Sequence, residues 1–82
     1  MIVAPVHRDI IEYLKRRNLL SKFNKQISIL HSNIKHPSLN MEILEPREFK
    51  VYSFRIDKKY RANFIYIAPQ IIEIIDANNH YR

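Results

Sequence analysis

Two arginines, a histidine and a tyrosine are the side chains of this sequence best suited to chemistry on a phosphate group. Arg55 and Arg61 flank a predicted hairpin turn, and His80-Tyr81 lies close to the last residue. An arginine is always charged and can hold two phosphate oxygens at once. A histidine titrates near neutral pH and can therefore transfer a proton. Cations on neighbouring strands beside an imidazole predict a site for an RNA phosphate.

The composition indicates a single small basic domain. The chain has 82 residues, 46% of them hydrophobic, and a formal net charge of +6. We expect residues 1–82 to form one domain with a modest core. Most of the positive charge lies in residues 1–40, which favours a polyanion such as RNA, DNA or an acidic protein partner. A solvated surface explains the same charge equally well.

Cysteine and glycine are both missing from the sequence. A chain without disulfides fits a reducing cytosol, so we predict a cytoplasmic protein. No apolar run is long enough to span a membrane. Without glycine, tight turns must use Asp, Asn, Lys or Pro, and the phosphate loops and dinucleotide-binding motifs that need glycine are excluded.

The periodicity of the apolar residues predicts helices first and strands afterwards. Helical spacing indicates helices over residues 7–17 and 20–31, separated by Asn18 and paired as an antiparallel hairpin. Alternation and turn residues predict five extended segments, at residues 1–4, 42–45, 49–57, 60–67 and 71–76. The first of these would be a very short edge strand. The predicted fold is therefore α+β, an N-terminal helix hairpin packed on a small antiparallel β-sheet.

Several short motifs, taken in order, resemble the RelE/ParE superfamily of type II toxin–antitoxin toxins, in particular its RelE and YoeB-like messenger-RNA interferases. The matching motifs are His36-Pro37-Ser38-Leu39, Tyr52-Ser53-Phe54-Arg55-Ile56, Tyr60-Arg61 and Asn79-His80-Tyr81. The order of helix, helix and three strands also fits, and the resemblance covers nearly the whole chain. It implies a RelE-like microbial RNase fold and a toxin that cuts messenger RNA in the ribosomal A site.

The resemblance also implies roles for individual residues. Arg61 matches the arginine that holds the scissile phosphate in YoeB-like toxins, and Arg55 matches a second basic residue on the preceding strand. His80 matches the C-terminal histidine, and Tyr81 the tyrosine beside it. We therefore expect Arg61 and His80 to act on the phosphate, with Arg55 and Tyr81 helping to bind RNA.

The resemblance leaves three glutamates open for the role of general base. Glu42 matches the family's glutamate if no gap separates it from Arg55. Glu45 and Glu48 are rivals, because they lie in a loop where gaps are expected.

These roles describe RNA cleavage without a metal or another cofactor. A base deprotonates the ribose 2′-hydroxyl, cations stabilise the charge that develops on phosphorus, and an acid protonates the leaving 5′-oxygen. Glu42, Arg61 and His80 would fill these three roles. The expected partners are messenger RNA, ribosomal RNA and a cognate antitoxin whose acidic segment neutralises the toxin; no membrane or metal partner is expected.

Other interpretations of the same residues stay open. The same family includes ParE-like inhibitors of DNA gyrase that have no nuclease activity, and a degenerate toxin would keep only its partner-binding surface. Without the resemblance, Arg55 and Arg61 are more simply explained as partners of Glu73, Asp57 or Asp76 across the sheet. A histidine near a terminus is by default exposed and without a role.

Overall fold

The chain begins with a strand, continues through two helices and returns to the sheet. The computed structural model describes residues 1–79. The helices are α1 (Arg8–Arg16) and α2 (Leu20–Ser32). The strands are β1 (Ile2–Val3), β2 (Glu42–Ile43), β3 (Tyr52–Arg55), β4 (Arg61–Ala68) and β5 (Ile71–Asn78). Both predicted helices are confirmed to within one residue at each end.

The five strands form one mixed sheet in the order β1-β5-β4-β3-β2. Strands β2 to β5 are antiparallel to their neighbours, but β1 runs parallel to β5 and pairs Ile2 with Ile71. The α+β class and the short edge strand at residues 1–4 are thus confirmed. The expected order, a helix hairpin before a purely antiparallel sheet, is wrong because the chain starts in the sheet. Strand β1 covers the backbone of β5, which would otherwise be an exposed edge.

Strand β3 is shorter than the alternating pattern of residues 49–57 predicted. Phe49 ends a short 3-10 turn, Arg47–Phe49, and Lys50 has a left-handed backbone with φ of 54°. A left-handed residue cannot continue an extended strand. The strand therefore begins after Lys50, although the side-chain pattern starts earlier.

At the end of α1, Asn18 occupies a position where many other helices have glycine. Asn18 has φ of 56°, and the N–H groups of Leu19 and Asn18 donate to the carbonyl oxygens of Leu14 and Lys15 at 2.9 and 3.1 Å. This pattern is a Schellman motif, in which a left-handed residue closes the helix. Asparagine tolerates that conformation better than most other residues. The expectation that asparagine and lysine make the turns is confirmed here and at Lys50.

The helices pack on one face of the sheet and enclose the core. Three phenylalanines lie at its centre: the ring centroid of Phe54 is 6.2 Å from those of both Phe23 and Phe64. The buried apolar residues come from both helices and the residue before α2, the loop after α2, strands β3 to β5 and the residue after β3: Ile10, Leu14, Leu19, Phe23, Leu30, Leu39, Phe54, Ile56, Ala62, Phe64, Ile72, Ile74 and Ala77. Because the core covers this face of the sheet, the opposite face is the one available to contact other molecules.

The turn between β3 and β4 is stabilised by Asp57. Its Oδ1 accepts from the backbone N–H groups of Lys59 and Tyr60, both at 2.8 Å, and its Oδ2 lies 3.8 Å from Lys22 Nζ. Burial tends to raise the pKa of the Asp57 carboxyl, but the two N–H donors and Lys22 together outweigh it. The pKa of Asp57 is consequently lower than its usual value.

Replacing Asp57 with alanine should lower the free energy of unfolding by about 1–2 kcal/mol near neutral pH, because two hydrogen bonds are lost. A depressed carboxyl pKa stabilises the fold fully above the unfolded pKa of about 3.9. That contribution is lost as the pH falls through the folded pKa, so the difference from wild type should shrink in acid. Urea unfolding across this pH range measures it. Asp57→Asn keeps the acceptor oxygen without the charge, so it should retain most of the stability at neutral pH. Equal losses of stability in Asp57→Ala and Asp57→Asn would show that the two hydrogen bonds do not stabilise the turn.

Candidate functional site

The sheet face turned away from the helices carries a row of polar residues. Paired residues on adjacent strands share a face, and here Glu42 pairs with Ser53, Arg55 with Arg61, and Asp76 with Asn63. We call this row the polar strip: Glu42, Ser53, Arg55, Arg61, Asn63, Asp76 and Asn78. It brings three of the residues predicted for the site, Glu42, Arg55 and Arg61, onto one surface.

Arg61 is held firmly within the polar strip. Its Nε donates to Ser53 Oγ at 2.7 Å, and its Nη2 donates to the carbonyl oxygens of Asn40 and Ser53 at 2.6 and 3.1 Å. The residue is only 7% exposed. Its guanidinium is thus oriented by the protein and largely shielded from solvent.

Two further residues hold the chain segments that position Arg61. Asn40 has a left-handed backbone, with φ of 46°, just before β2. The amide Nε2 of Gln26, a buried residue of α2, donates to the carbonyl oxygens of Ser38 and Arg55 at 3.0 and 2.8 Å. These bonds connect α2, the loop before β2 and strand β3, so the helix layer fixes the backbone around Arg61.

Glu42 is the carboxylate that the fold places beside Arg61. Its Oε2 lies 3.9 Å from Arg61 Nη2, and its side chain is 47% exposed. Glu45 and Glu48 lie further along the same segment and are exposed. Among the ion pairs of residues 1–79, Arg61 pairs with Glu42 and with neither rival. Glu42 is therefore the candidate base with a direct place in the polar strip.

Arg55 lies directly opposite Arg61 in the pairing of β3 with β4. Like charges opposite each other on a sheet repel, and an anion between them relieves that repulsion. Within residues 1–79, no carboxylate lies within 4.0 Å of the Arg55 guanidinium, and the residue is partly exposed. The pair Arg55 and Arg61 is consequently suited to an anion such as phosphate.

Of the acidic partners expected across the sheet, Glu73 and Asp57 are not the ones these arginines adopt, and Arg61 pairs with Glu42 instead. Glu73 accepts a hydrogen bond from the ring of His7, with Nε2 and Oε2 2.7 Å apart, and Asp57 lies beside Lys22. The Glu73 and Asp57 carboxylates are thus used elsewhere.

The predictions for His80 and Tyr81 lie outside the described residues and stay predictions. Tyr52 lies on the helix-facing side of the sheet and stacks on Phe64, with ring centroids 5.5 Å apart. Tyr52 therefore lies on the opposite face of the sheet from the polar strip.

Neither a metal-binding cluster nor a membrane-spanning helix is found in the described part of the chain. No group of three or more His, Asp or Glu residues among residues 1–79 is arranged to hold a metal ion. No helix in the same range is long and apolar enough to cross a membrane.

Sequence reasoning missed the two residues that hold Arg61, Ser53 and Asn40. Ser53 carried a usable signal, since it alternates with Arg55 on the polar side of a strand. Asn40 carried none, because its contribution is a backbone carbonyl oxygen. Nor did the sequence indicate that Arg61 would be buried.

Comparison with solved structures gives a consistent fold. A YoeB/ParE toxin from Agrobacterium tumefaciens matches with a TM-score of 0.71 and 20% identity, over 98% of this chain and 96% of that chain. The YoeB–YefM toxin–antitoxin heterotetramer and the YoeB dimer, both from Staphylococcus aureus, match with TM-scores of 0.68 and 0.67, each at 20% identity. Each covers 98% of this chain and 94% of that chain.

The sequence itself matches no family model and no curated protein. The likeness is thus one of structure, and it spans the described elements from the first strand to the last. The resemblance seen in the short motifs is confirmed at the level of the fold: this chain has the fold of the YoeB and ParE toxins.

Proposed function

We propose that this protein is the toxin of a type II toxin–antitoxin system and a metal-free endoribonuclease that cuts messenger RNA on the ribosome. The observation that carries the proposal is the arrangement of Glu42, 3.9 Å from Arg61, with Arg55 opposite Arg61 on the polar strip. This places a carboxylate and two cations on one surface of a toxin-like fold. A general base and a charged phosphate site need that combination.

In the proposed reaction Glu42 removes the proton of a ribose 2′-hydroxyl, and the resulting 2′-oxygen attacks the adjacent phosphorus. Arg55 and Arg61 stabilise the additional negative charge on the phosphate oxygens. The bond between phosphorus and the 5′-oxygen then breaks, and His80 supplies the proton to that leaving oxygen. The products are a 2′,3′-cyclic phosphate and a free 5′-hydroxyl. DNA lacks the nucleophile and would not be cut.

The different burial of the two arginines supports roles that differ from those expected from the sequence. Arg55 is partly exposed, so in the proposed reaction it contacts the phosphate directly. Arg61 is oriented by Ser53 and Asn40, so it presents a fixed charge from beneath the surface. Preorganised charge of this kind stabilises a transition state without reorganising during the reaction.

The proposed partner is a cognate antitoxin with an acidic segment. The neighbouring YoeB from Staphylococcus aureus forms a heterotetramer with YefM. In this chain, the excess of positive charge in residues 1–40 would attract an acidic segment and speed its association. A small acidic protein encoded next to this chain is the expected antitoxin.

Inducing the protein in growing bacteria should arrest translation and produce new messenger-RNA ends within coding regions. Mapping of RNA ends measures the cleavage, with His80→Ala as the variant expected to lose it and the exposed neighbour Asn79→Ala as the matched control. Full cleavage by His80→Ala would remove the histidine from the mechanism. DNA damage signalling without RNA cuts would overturn the nuclease proposal and support gyrase inhibition instead.

A further inference from the structure

A pocket of about 530 Å³ opens on the helix-facing side of the sheet, beyond the end of α2. Pockets that bind small ligands have volumes of about 300–1,000 Å³. Its apolar lining comes from the loop after α2 and from strands β3 and β4: Ile34, Pro37, Met41, Tyr52, Phe64 and Tyr66. Since Tyr52 and Ser53 are adjacent on β3 and lie on opposite faces, this pocket is separate from the polar strip.

The aromatic part of the lining forms a continuous wall. Tyr52 and Phe64 stack with ring centroids 5.5 Å apart, and Tyr66 meets both rings edge to face, at 5.5 and 5.9 Å. Tyr66 is nevertheless 40% exposed. Covering an exposed apolar surface of this kind with an apolar partner is favourable, because it removes apolar area from water.

The polar residues at the pocket are basic or neutral. Lys35 and His36 line it and are exposed, and none of the lining residues in the described part of the chain is Asp or Glu. His36 Nδ1 accepts from the backbone N–H of Ser38 at 3.1 Å, which leaves Nε2 as the donor of the neutral ring. A cation and an N–H donor at the rim therefore favour a carboxylate beside the apolar lining.

The charge pattern of the surrounding chain points to the same partner. Residues 13–41 contain no Asp or Glu and carry a series of basic residues, Lys15, Arg16, Arg17, Lys22, Lys25 and Lys35. Half of the apolar lining, formed by Ile34, Pro37 and Met41, is aliphatic, and the other half is aromatic. Such a lining accommodates apolar side chains of a peptide, and the basic residues around it favour a peptide that is acidic.

We propose that this pocket binds the apolar side chains of an acidic peptide segment, with Lys35 and His36 contacting its carboxylates. This is a helix-in-groove or extended-peptide type of recognition, in which apolar anchors give affinity and charges give specificity. Under the proposed function the natural occupant is a segment of the antitoxin, and the inference rests on that function only for this identification. Asn40, which also lines the pocket, accepts the hydrogen bond of Arg61, so an occupant would touch the loop that holds the catalytic cation.

Selection of short random peptides displayed on phage against the purified protein tests the proposal. The enriched peptides should combine aliphatic residues with Asp or Glu. Fluorescence anisotropy with a labelled consensus peptide should show binding weakened about tenfold or more by Tyr66→Ala and by Lys35→Glu. The matched controls are Ile67→Ala, an exposed apolar residue elsewhere on β4, and Lys58→Glu in the β3–β4 turn; both should bind as wild type.

Three results would overturn the inference. Enriched peptides without acidic residues, or binding unaffected by Tyr66→Ala and Lys35→Glu, would show that the pocket does not recognise an acidic segment. Loss of binding to a single-stranded RNA oligomer in Tyr66→Ala, without loss of peptide binding, would make it a nucleotide site. Because the peptide assay involves no RNA cleavage, its failure leaves the proposed nuclease function intact, and the reverse also holds.

Discussion

Replacing Glu42 with glutamine should slow RNA cleavage by about 10²–10⁴-fold, the range typical for loss of a general base. The substitution keeps the size of the side chain and replaces the basic carboxylate with an amide that does not take up the proton. The fold should be hardly affected, because the Glu42 carboxylate is 47% exposed and its ion pair with Arg61 is long, at 3.9 Å. An ion pair that is this long and has one half-exposed partner contributes about 0–1 kcal/mol. Cleavage rates on programmed ribosomes and thermal unfolding measure the two effects separately.

Glu45→Gln and Glu48→Gln are the matched controls for this prediction. Both residues are exposed and follow Glu42 in the same segment, but neither is paired with Arg61 within the described part of the chain. Both variants should cleave at the wild-type rate. A wild-type rate in Glu42→Gln together with a large loss in either control would move the base to that residue.

Replacing Arg61 with alanine should lower the free energy of unfolding and also abolish cleavage. The Ser53 hydroxyl and the carbonyl oxygens of Ser53 and Asn40 would lose their donor, and leaving buried polar groups unsatisfied costs about 1–3 kcal/mol. For a domain of this size, each kcal/mol lowers Tm by about 4–8 °C. An inactive Arg61→Ala therefore proves little about catalysis by itself.

Two other variants separate anchoring from catalysis. Arg61→Lys keeps the charge without the planar fork of donors, so it should recover part of the lost Tm while cleavage stays low. Arg55→Ala should leave the free energy of unfolding within about 0.5 kcal/mol of wild type, because a partly exposed side chain is removed. Its cleavage should nevertheless fall. An Arg61→Ala protein with the wild-type Tm would contradict the buried hydrogen bonds, and wild-type cleavage by Arg55→Ala would remove it from the phosphate site.

Much of the secondary structure follows from short stretches of sequence. The helices begin and end within one residue of the predicted positions because an apolar stripe and a left-handed Asn18 are local signals. The turn at Asp57 is local as well, since its carboxylate accepts from residues two and three positions later. Such interactions involve neighbours along the chain, and a pattern of residue types is sufficient to reveal them.

The limits of the pattern are equally physical. The alternation over residues 49–57 predicted a longer β3, but a left-handed Lys50 interrupts the extended backbone. The parallel pairing of β1 with β5 joins segments from opposite ends of the chain. Pairings between distant segments depend on how the whole sheet assembles, which local periodicity does not encode.

The sequence by itself determined the α+β class and placed Arg55 and Arg61 on neighbouring strands. Only the tertiary structure decided that Glu42 lies beside Arg61 and that Arg61 is buried. It also decided that a backbone carbonyl of Asn40 holds the guanidinium, and that a basic-rimmed pocket lies behind it. The physical reason is that alternation assigns a side chain to a face, whereas its burial and partners depend on segments that meet only when the chain folds.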